Sequence, residues 1–156
     1  MNNLEKSWKE LMVKMEGLFD QEVSLKGILF LIGIQELKML DRDFSKEEKV
    51  DVLHVAVCTV LAPYGYYKLK GVDEDGWIHY NELRAVKSLS DFDQKKLIKK
   101  GIINYFTKRL YSVTKNNELT TSSMLKLKKN FAFILVKFSK YRSDLIAFKV
   151  FADSLF

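Results

Sequence analysis

Apolar residues recur at intervals of three or four through most of this chain, which is the spacing of helices with one buried face. The first such helix is predicted over 4–19. A second follows from a Ser24 cap to about Leu40, and its apolar side chains point in every direction around the axis. That pattern is typical of a helix buried at the centre of a fold.

The third predicted helix has a clear start and a clear stop. Ser45 and Glu48 have the spacing of a capping box, in which each side chain satisfies the backbone N–H of the other residue. The helix is expected to reach Leu61 and to end at Pro63, because proline has no backbone N–H. The many valines over 50–60 keep a strand as the alternative, and the capping box favours the helix.

Helical spacing stops between 64 and 82, where aromatic residues flank a turn-forming Asp75-Gly76 pair. This predicts a β-hairpin or an ordered aromatic loop. Its rings belong to Tyr64, Tyr66, Tyr67, Trp77 and Tyr80. Such rings serve as anchors of protein interfaces, and they equally often close the end of a helical bundle, so both interpretations stay open.

Helical spacing returns after Ser90, which forms a second capping pattern with Asp93. A long helix is predicted from a cap within 120–123 to about Tyr141, and a short one over 145–151. The fold class that follows is mainly α: a single-domain helical bundle of five or six helices over 1–156, with one aromatic loop or β-hairpin.

Composition restricts the class of protein further. A hydrophobic content of 47% in 156 residues is enough for a packed core. The single cysteine excludes an internal disulfide framework and fits a reducing compartment. The start of the chain is polar, and the most apolar stretch, 27–34, is too short to span a bilayer. A cytoplasmic protein without membrane insertion is therefore expected.

Charge is divided along the chain. Residues 1–83 carry fifteen acidic and ten basic side chains, a balance of −5, whereas residues 84–156 carry five acidic and sixteen basic ones, a balance of +11. This division favours binding of the basic half to polyanions. It also favours self-association of two chains through their opposite halves.

Two groups of residues make nucleic acid a candidate partner. On the helix predicted over 124–140, one side presents an aromatic ring among lysines, which suits contact with phosphates and stacking on an unpaired base. A second basic arc lies on the preceding helix, and the alternative for both is an ordinary solvated face. The first group is Lys126, Lys129, Phe133, Lys137 and Lys140, and the second is Lys95, Lys96, Lys99 and Lys100.

Residues 71–82 resemble the calcium loop of an EF-hand. Asp73, Asp75 and Glu82 stand at the third, fifth and twelfth positions of that loop, and the resemblance implies that they are metal ligands. Gly71 replaces the aspartate usual at the first position, which removes one charged oxygen donor. The other interpretation, which we prefer, is a turn at Asp75 whose acids are solvated.

His54 and Cys58 are four residues apart, a spacing that can place two metal ligands on one helix face. The same spacing also places them with apolar side chains, and a buried core pair is the interpretation we favour. We identify no phosphate-binding glycine loop and no nucleophile motif, so neither an enzyme nor a cofactor is predicted.

The chain from the capping box through the DEDGW segment is also similar to short bacterial proteins of unassigned function, which implies an ordered domain and no particular activity. We predict a non-catalytic binding or adaptor protein that acts through the aromatic-acidic loop and the basic C-terminal half. Its partner would be a protein or another acidic molecule. Nucleic-acid binding is the first alternative, and a metal-dependent switch or an enzyme is the second.

Overall fold

The computed structural model describes residues 2–19, 22–39 and 42–114. These ranges are mainly helical with one small antiparallel sheet, as the sequence predicts. They contain four α-helices rather than five or six, and the further helices predicted after 120 lie outside the described residues. The elements are α1 (Asn3–Phe19), α2 (Leu25–Leu37), α3 (Lys46–Leu61), β1 (Tyr67–Val72), β2 (Ile78–Glu82) and α4 (Asp91–Thr114), with 3₁₀ turns at Ala62–Tyr64 and Val86–Ser88.

Both helices of the central pair begin at the predicted serines. The Ser24 hydroxyl accepts a hydrogen bond from the Gly27 N–H at 3.0 Å and caps α2. At α3 the capping box is complete, because Glu48 N–H bonds the Ser45 hydroxyl at 3.1 Å and Ser45 N–H bonds the Glu48 carboxylate at 2.8 Å. The helical interpretation of 50–61 is therefore confirmed, and the strand alternative is wrong.

Helix α2 is buried on every side over 27–34, as its pattern predicts. Its tightest neighbour is α3, at the point where Gly33 faces Val52. A Cβ on Gly33 would overlap the Val52 carbonyl oxygen, so only glycine allows the two backbones to come this close.

Helix α4 meets α3 through a second glycine. A Cβ on Gly101 would lie 2.6 Å from the Val60 carbonyl oxygen and 3.1 Å from the Val60 Cβ. Ile98, Ile102 and Phe106, which share this side of α4, are all buried. Helix α3 is therefore held between α2 and α4 by two close backbone contacts, one near its middle and one near its end.

The hairpin follows α3 after a tight connection at Pro63 and Gly65. Its strands pair antiparallel from Tyr67 opposite Glu82 to Val72 opposite Ile78, with a bulge between Leu69 and Gly71. Of the two forms that the sequence leaves open for 64–82, the hairpin is the one present.

Helix α1 lies against α4 through polar and aromatic contacts. The Lys99 ammonium bonds the Glu5 carboxylate at 3.2 Å and lies 5.5 Å from the centre of the Trp8 ring. Met15, farther along α1, is buried. Residues Met1–Leu110 form one compact unit by their own contacts, and a single domain over the whole chain stays a prediction.

We predict that Gly33→Ala and Gly101→Ala each lower the free energy of unfolding by about 1–3 kcal/mol, because an added methyl group forces the helices apart. Gly17→Ala is the matched control, since no atom lies within 4 Å of a Cβ at this exposed helical position. The control should raise the free energy of unfolding by up to about 1 kcal/mol. Urea denaturation measures all three, and an unchanged or higher stability for Gly33→Ala would contradict the close-contact interpretation.

Candidate functional site

The turn of the hairpin is organised by Asp73. Its carboxylate accepts hydrogen bonds from the backbone N–H groups of Asp75 at 3.1 Å and Trp77 at 2.8 Å, and from the His79 ring at 2.7 Å. The hydrogen bond from His79, followed by the one from the Trp77 backbone, lowers the pKa of Asp73 from its usual value. Gly76 takes the positive φ of 87° that the turn requires. This carboxylate therefore has a structural role in closing the turn.

Trp77 fixes the turn to the connection between α2 and α3. Its ring meets the Phe44 ring edge to face at 6.3 Å, and Phe44 in turn meets Phe30 of α2 at 6.1 Å. The Arg42 guanidinium lies 5.6 Å from the Trp77 ring centre and pairs with Glu48. Three rings thus connect the tip of the hairpin to the core.

A hydrogen-bonded chain fixes the middle of the hairpin to α3. The Thr59 hydroxyl donates to the Val55 carbonyl at 2.8 Å, so the Tyr80 hydroxyl, 3.0 Å from Thr59 Oγ1, is the donor to Thr59. Burial is the main cause of the raised pKa of Tyr80. Nearby, the Tyr105 hydroxyl donates to Glu36 at 2.5 Å and connects α4 to α2.

Tyr67 covers the pair formed by His54 and Cys58. The His54 and Tyr67 rings meet edge to face at 6.2 Å, and His54 Nε2 lies 3.5 Å from the Cys58 sulfur. Cys58 is fully buried, as expected, whereas His54 is exposed, so the prediction of a buried histidine is wrong. Burial raises the pKa of the Cys58 thiol to about 12 and that of Tyr67 to about 12. A thiol that stays protonated at neutral pH is a poor nucleophile.

The two remaining tyrosines are covered by cations. The Arg84 guanidinium lies 4.8 Å from the centre of the Tyr66 ring, and Tyr66 is only 8% exposed. The Lys100 ammonium lies 5.2 Å from the centre of the Tyr64 ring, whose hydroxyl donates to the Lys100 carbonyl at 3.4 Å. Burial raises the pKa of Tyr64 as well.

All five rings are thus buried or half-buried and engaged within the fold. Of the two interpretations that the sequence leaves open, these contacts favour rings that hold the hairpin on the helices. The exposed apolar residues of the hairpin are instead Leu69, Val72 and Leu83, with exposures of 58%, 62% and 56%. None of the three is among the site residues predicted from the sequence, although the alternation of Lys68, Leu69 and Lys70 is visible there.

The register shows where these apolar residues lie. Leu69 pairs with Tyr80, and Val72 pairs with Ile78, and paired residues share one face of a sheet. The bulge between Leu69 and Gly71 brings Val72 back onto that face. Leu69 and Val72 therefore lie on the face of the hairpin that contacts α3, in a part of that face that the helix does not cover. We call these two residues the open hairpin face.

The residues of the EF-hand-like loop are placed apart. Asp73 and Asp75 lie in the turn, whereas Glu82 lies at the far end of β2 opposite Tyr67. Within the three described ranges, no group of three His, Cys, Asp or Glu side chains is arranged to hold a metal ion. The resemblance to a calcium loop stays a prediction.

The basic arc on α4 divides into two pairs. Lys95 and Lys96 are exposed, whereas Lys99 and Lys100 contact Glu5, Trp8 and Tyr64 within the fold. The other predicted group, Lys126, Lys129, Phe133, Lys137 and Lys140, lies outside the described residues.

Comparison with known proteins gives no match: no family model, curated protein or solved structure is similar to this chain. Within the described residues, every helix is too short or too polar to cross a membrane.

We predict that Tyr80→Phe lowers the free energy of unfolding by about 1 kcal/mol, because it removes the hydrogen bond to Thr59 from a half-buried site. Tyr64→Phe is the matched control, since it removes only a long hydrogen bond that is open to solvent. Its effect should stay within about 0.5 kcal/mol in the same urea titration. Equal effects of the two substitutions would contradict the anchoring role of Tyr80.

Proposed function

We propose that this chain is a non-catalytic binding or adaptor protein whose partner is another protein, and that the open hairpin face is the point of contact. The observation that carries the proposal is the exposure of Leu69 and Val72 next to rings that are engaged in the fold. The proposal thus keeps the binding role predicted from the sequence and moves the contact from the tyrosines to their uncovered neighbours.

The attachment of the hairpin supports this role. The hairpin is held at its tip by Trp77, at its middle by Tyr80 and at its base by Tyr67. A partner that docks on a prefixed surface loses little conformational entropy on binding, which favours affinity.

The chemistry of the surface suits a protein with an apolar patch. Lys68 precedes Leu69 in β1 and is exposed, but it pairs with Asn81 and therefore lies on the opposite face of the hairpin. Apolar centres with a polar rim are the usual anatomy of protein interfaces. A partner with apolar side chains would complement Leu69 and Val72.

We predict that Leu69→Ser with Val72→Ser lowers the affinity for the partner at least about tenfold, because the apolar contact is lost. The full chain would be tagged in its native cells, cross-linked, and its captured proteins identified and titrated against the purified variants. The matched control replaces two exposed apolar residues elsewhere, Val13→Ser with Phe92→Ser, and should keep the affinity. Retained affinity in the hairpin variant, or equal loss in the control, would contradict the proposed surface.

Nucleic-acid binding stays the second candidate, since Lys95 and Lys96 are free of the contacts that engage Lys99 and Lys100 in the described part of the chain. Nuclease treatment before capture separates the two functions. Capture that survives nuclease supports the protein partner, whereas capture that nuclease abolishes supports nucleic acid. The absence of an activity and the cytoplasmic location stay predictions.

A further inference from the structure

The hairpin has only two strands in the described part of the chain, so each strand has one side without a neighbouring strand. Backbone groups alternate in direction along an antiparallel strand. One residue bonds to the partner strand, and the next points its N–H and C=O groups outward. Outward groups on an edge strand can pair with a further strand from another chain.

At the base of the hairpin, the direction of the backbone groups follows from one hydrogen bond. The Leu83 N–H donates to the Tyr66 carbonyl at 2.8 Å, so the backbone of Tyr66 faces β2. In the regular register that follows, Lys68 also faces β2. The N–H and C=O groups of Tyr67 and Leu69 therefore point outward.

At the turn, a second hydrogen bond gives the direction from the other end. The Asp73 N–H donates to the Trp77 carbonyl at 2.9 Å, so Asp73 faces β2 and Val72 points outward. Gly71 faces β2 again, and the bulge between Leu69 and Gly71 accounts for the extra residue of β1. Leu69 and Val72 thus carry both the side chains of the open hairpin face and outward backbone groups.

The edge of β1 is the more accessible of the two edges. On the face that contacts α3, Ile78 and Tyr80 of β2 are half-buried, whereas Leu69 and Val72 of β1 are more than half exposed. Within the three described ranges, no hydrogen bond joins the backbone groups of Leu69 or Val72 to an element other than β2. These groups are therefore available to another chain.

The two faces of β1 define the side chains that an added strand would need. The bulge in β1 lies opposite the single residue His79 of β2. An added strand that also places one residue opposite the bulge would have alternate residues beside Tyr67, Leu69 and Val72, which favours apolar side chains. Its intervening residues would lie on the opposite face, where Lys68 is exposed. Acidic side chains suit those positions.

Charge distinguishes a different protein from a second copy of this chain. Two β1 edges paired antiparallel would bring Lys68 and Lys70 of one copy near the same lysines of the other, and like charges opposite each other destabilise a sheet. Lysines on an edge strand discourage such pairing. The same lysines attract carboxylates, so they favour an acidic strand from another protein.

We propose that β1 is a strand-addition site, at which an extended segment of a partner protein with alternating apolar and acidic residues pairs with the edge over 67–72. The inference rests on the proposed function, because it uses the same apolar residues, Leu69 and Val72. It adds the backbone hydrogen bonds and the charges that accompany their contact. In this mode main-chain hydrogen bonds supply affinity and alternate side chains supply specificity.

The test uses the full ¹⁵N-labelled chain and, as the probe, a blocked octapeptide of alternating valine and glutamate. The amide resonances of Leu69 and Val72 should shift saturably with a dissociation constant of about 0.1–1 mM, because a short flexible peptide loses entropy on binding. At saturating peptide, hydrogen exchange of these two amides should slow at least about tenfold, because they gain acceptors. The Lys68 amide already faces β2 and is the internal control, whose exchange should change little.

Two substitutions of Leu69 separate the backbone contact from the side-chain contact. Leu69→Ala loses only the apolar side chain, whereas Leu69→Pro also loses the N–H, and proline is tolerated on an edge strand where the N–H points outward. Leu69→Pro should therefore weaken peptide binding at least about threefold more than Leu69→Ala does. If the proline variant unfolds, the exchange measurement on the unaltered chain decides the proposal.

An octapeptide of alternating valine and lysine is the charge-reversed control and should bind at least about tenfold more weakly. Slowed exchange at Leu69 and Val72 supports strand addition. Shifted resonances without slowed exchange would overturn strand addition and leave the proposed apolar contact intact. No saturable response to the glutamate peptide, or equal binding of the lysine peptide, would overturn the acidic strand as the occupant. The proposed function is judged separately, by the effect of Leu69→Ser with Val72→Ser on the captured partner.

Discussion

The approach of α3 to its two neighbours at glycine is the constraint on which the rest of the described structure depends. At Gly33 and Gly101 a carbonyl of α3 lies where any side chain would stand, so α2 and α4 press directly against the backbone of α3. Close packing of this kind places many atoms in contact and makes α3 the centre of the unit. The sides of α3 that remain uncovered by these helices receive the hairpin, through His54 and Thr59.

The position of the hairpin on α3 determines which of its residues stay exposed to other molecules. A two-stranded hairpin is marginal by itself in water, so it needs a partner for one face. Here that partner is α3, and the tyrosines and Trp77 are used to attach the hairpin. What is left for another molecule is the uncovered continuation of the same face at Leu69 and Val72.

The helices and the hairpin could be predicted because their signals are local. Ser45 and Glu48 form a capping box that marks the start of α3 within four residues. The alternating apolar and polar residues on either side of Asp75-Gly76 likewise indicate two strands joined by a turn. The orientation of the rings could not be predicted, because it depends on which residues of α3 lie opposite each strand. His54 shows the same limit: its spacing places it on the same side of α3 as Cys58, yet Cys58 is buried whereas His54 stays exposed beside the Tyr67 ring.

Native-state hydrogen exchange tests most directly whether the hairpin and α3 are one packed body. If Trp77, Tyr80 and Tyr67 fix the hairpin to α3, the hydrogen-bonded amides of β1 and β2 open together with the amides at the centre of α3. The protection factors of the two groups of amides then agree within about tenfold. A hairpin whose amides exchange a thousandfold or so faster than those of Val55 and Ala56, while α3 stays protected, would contradict the account.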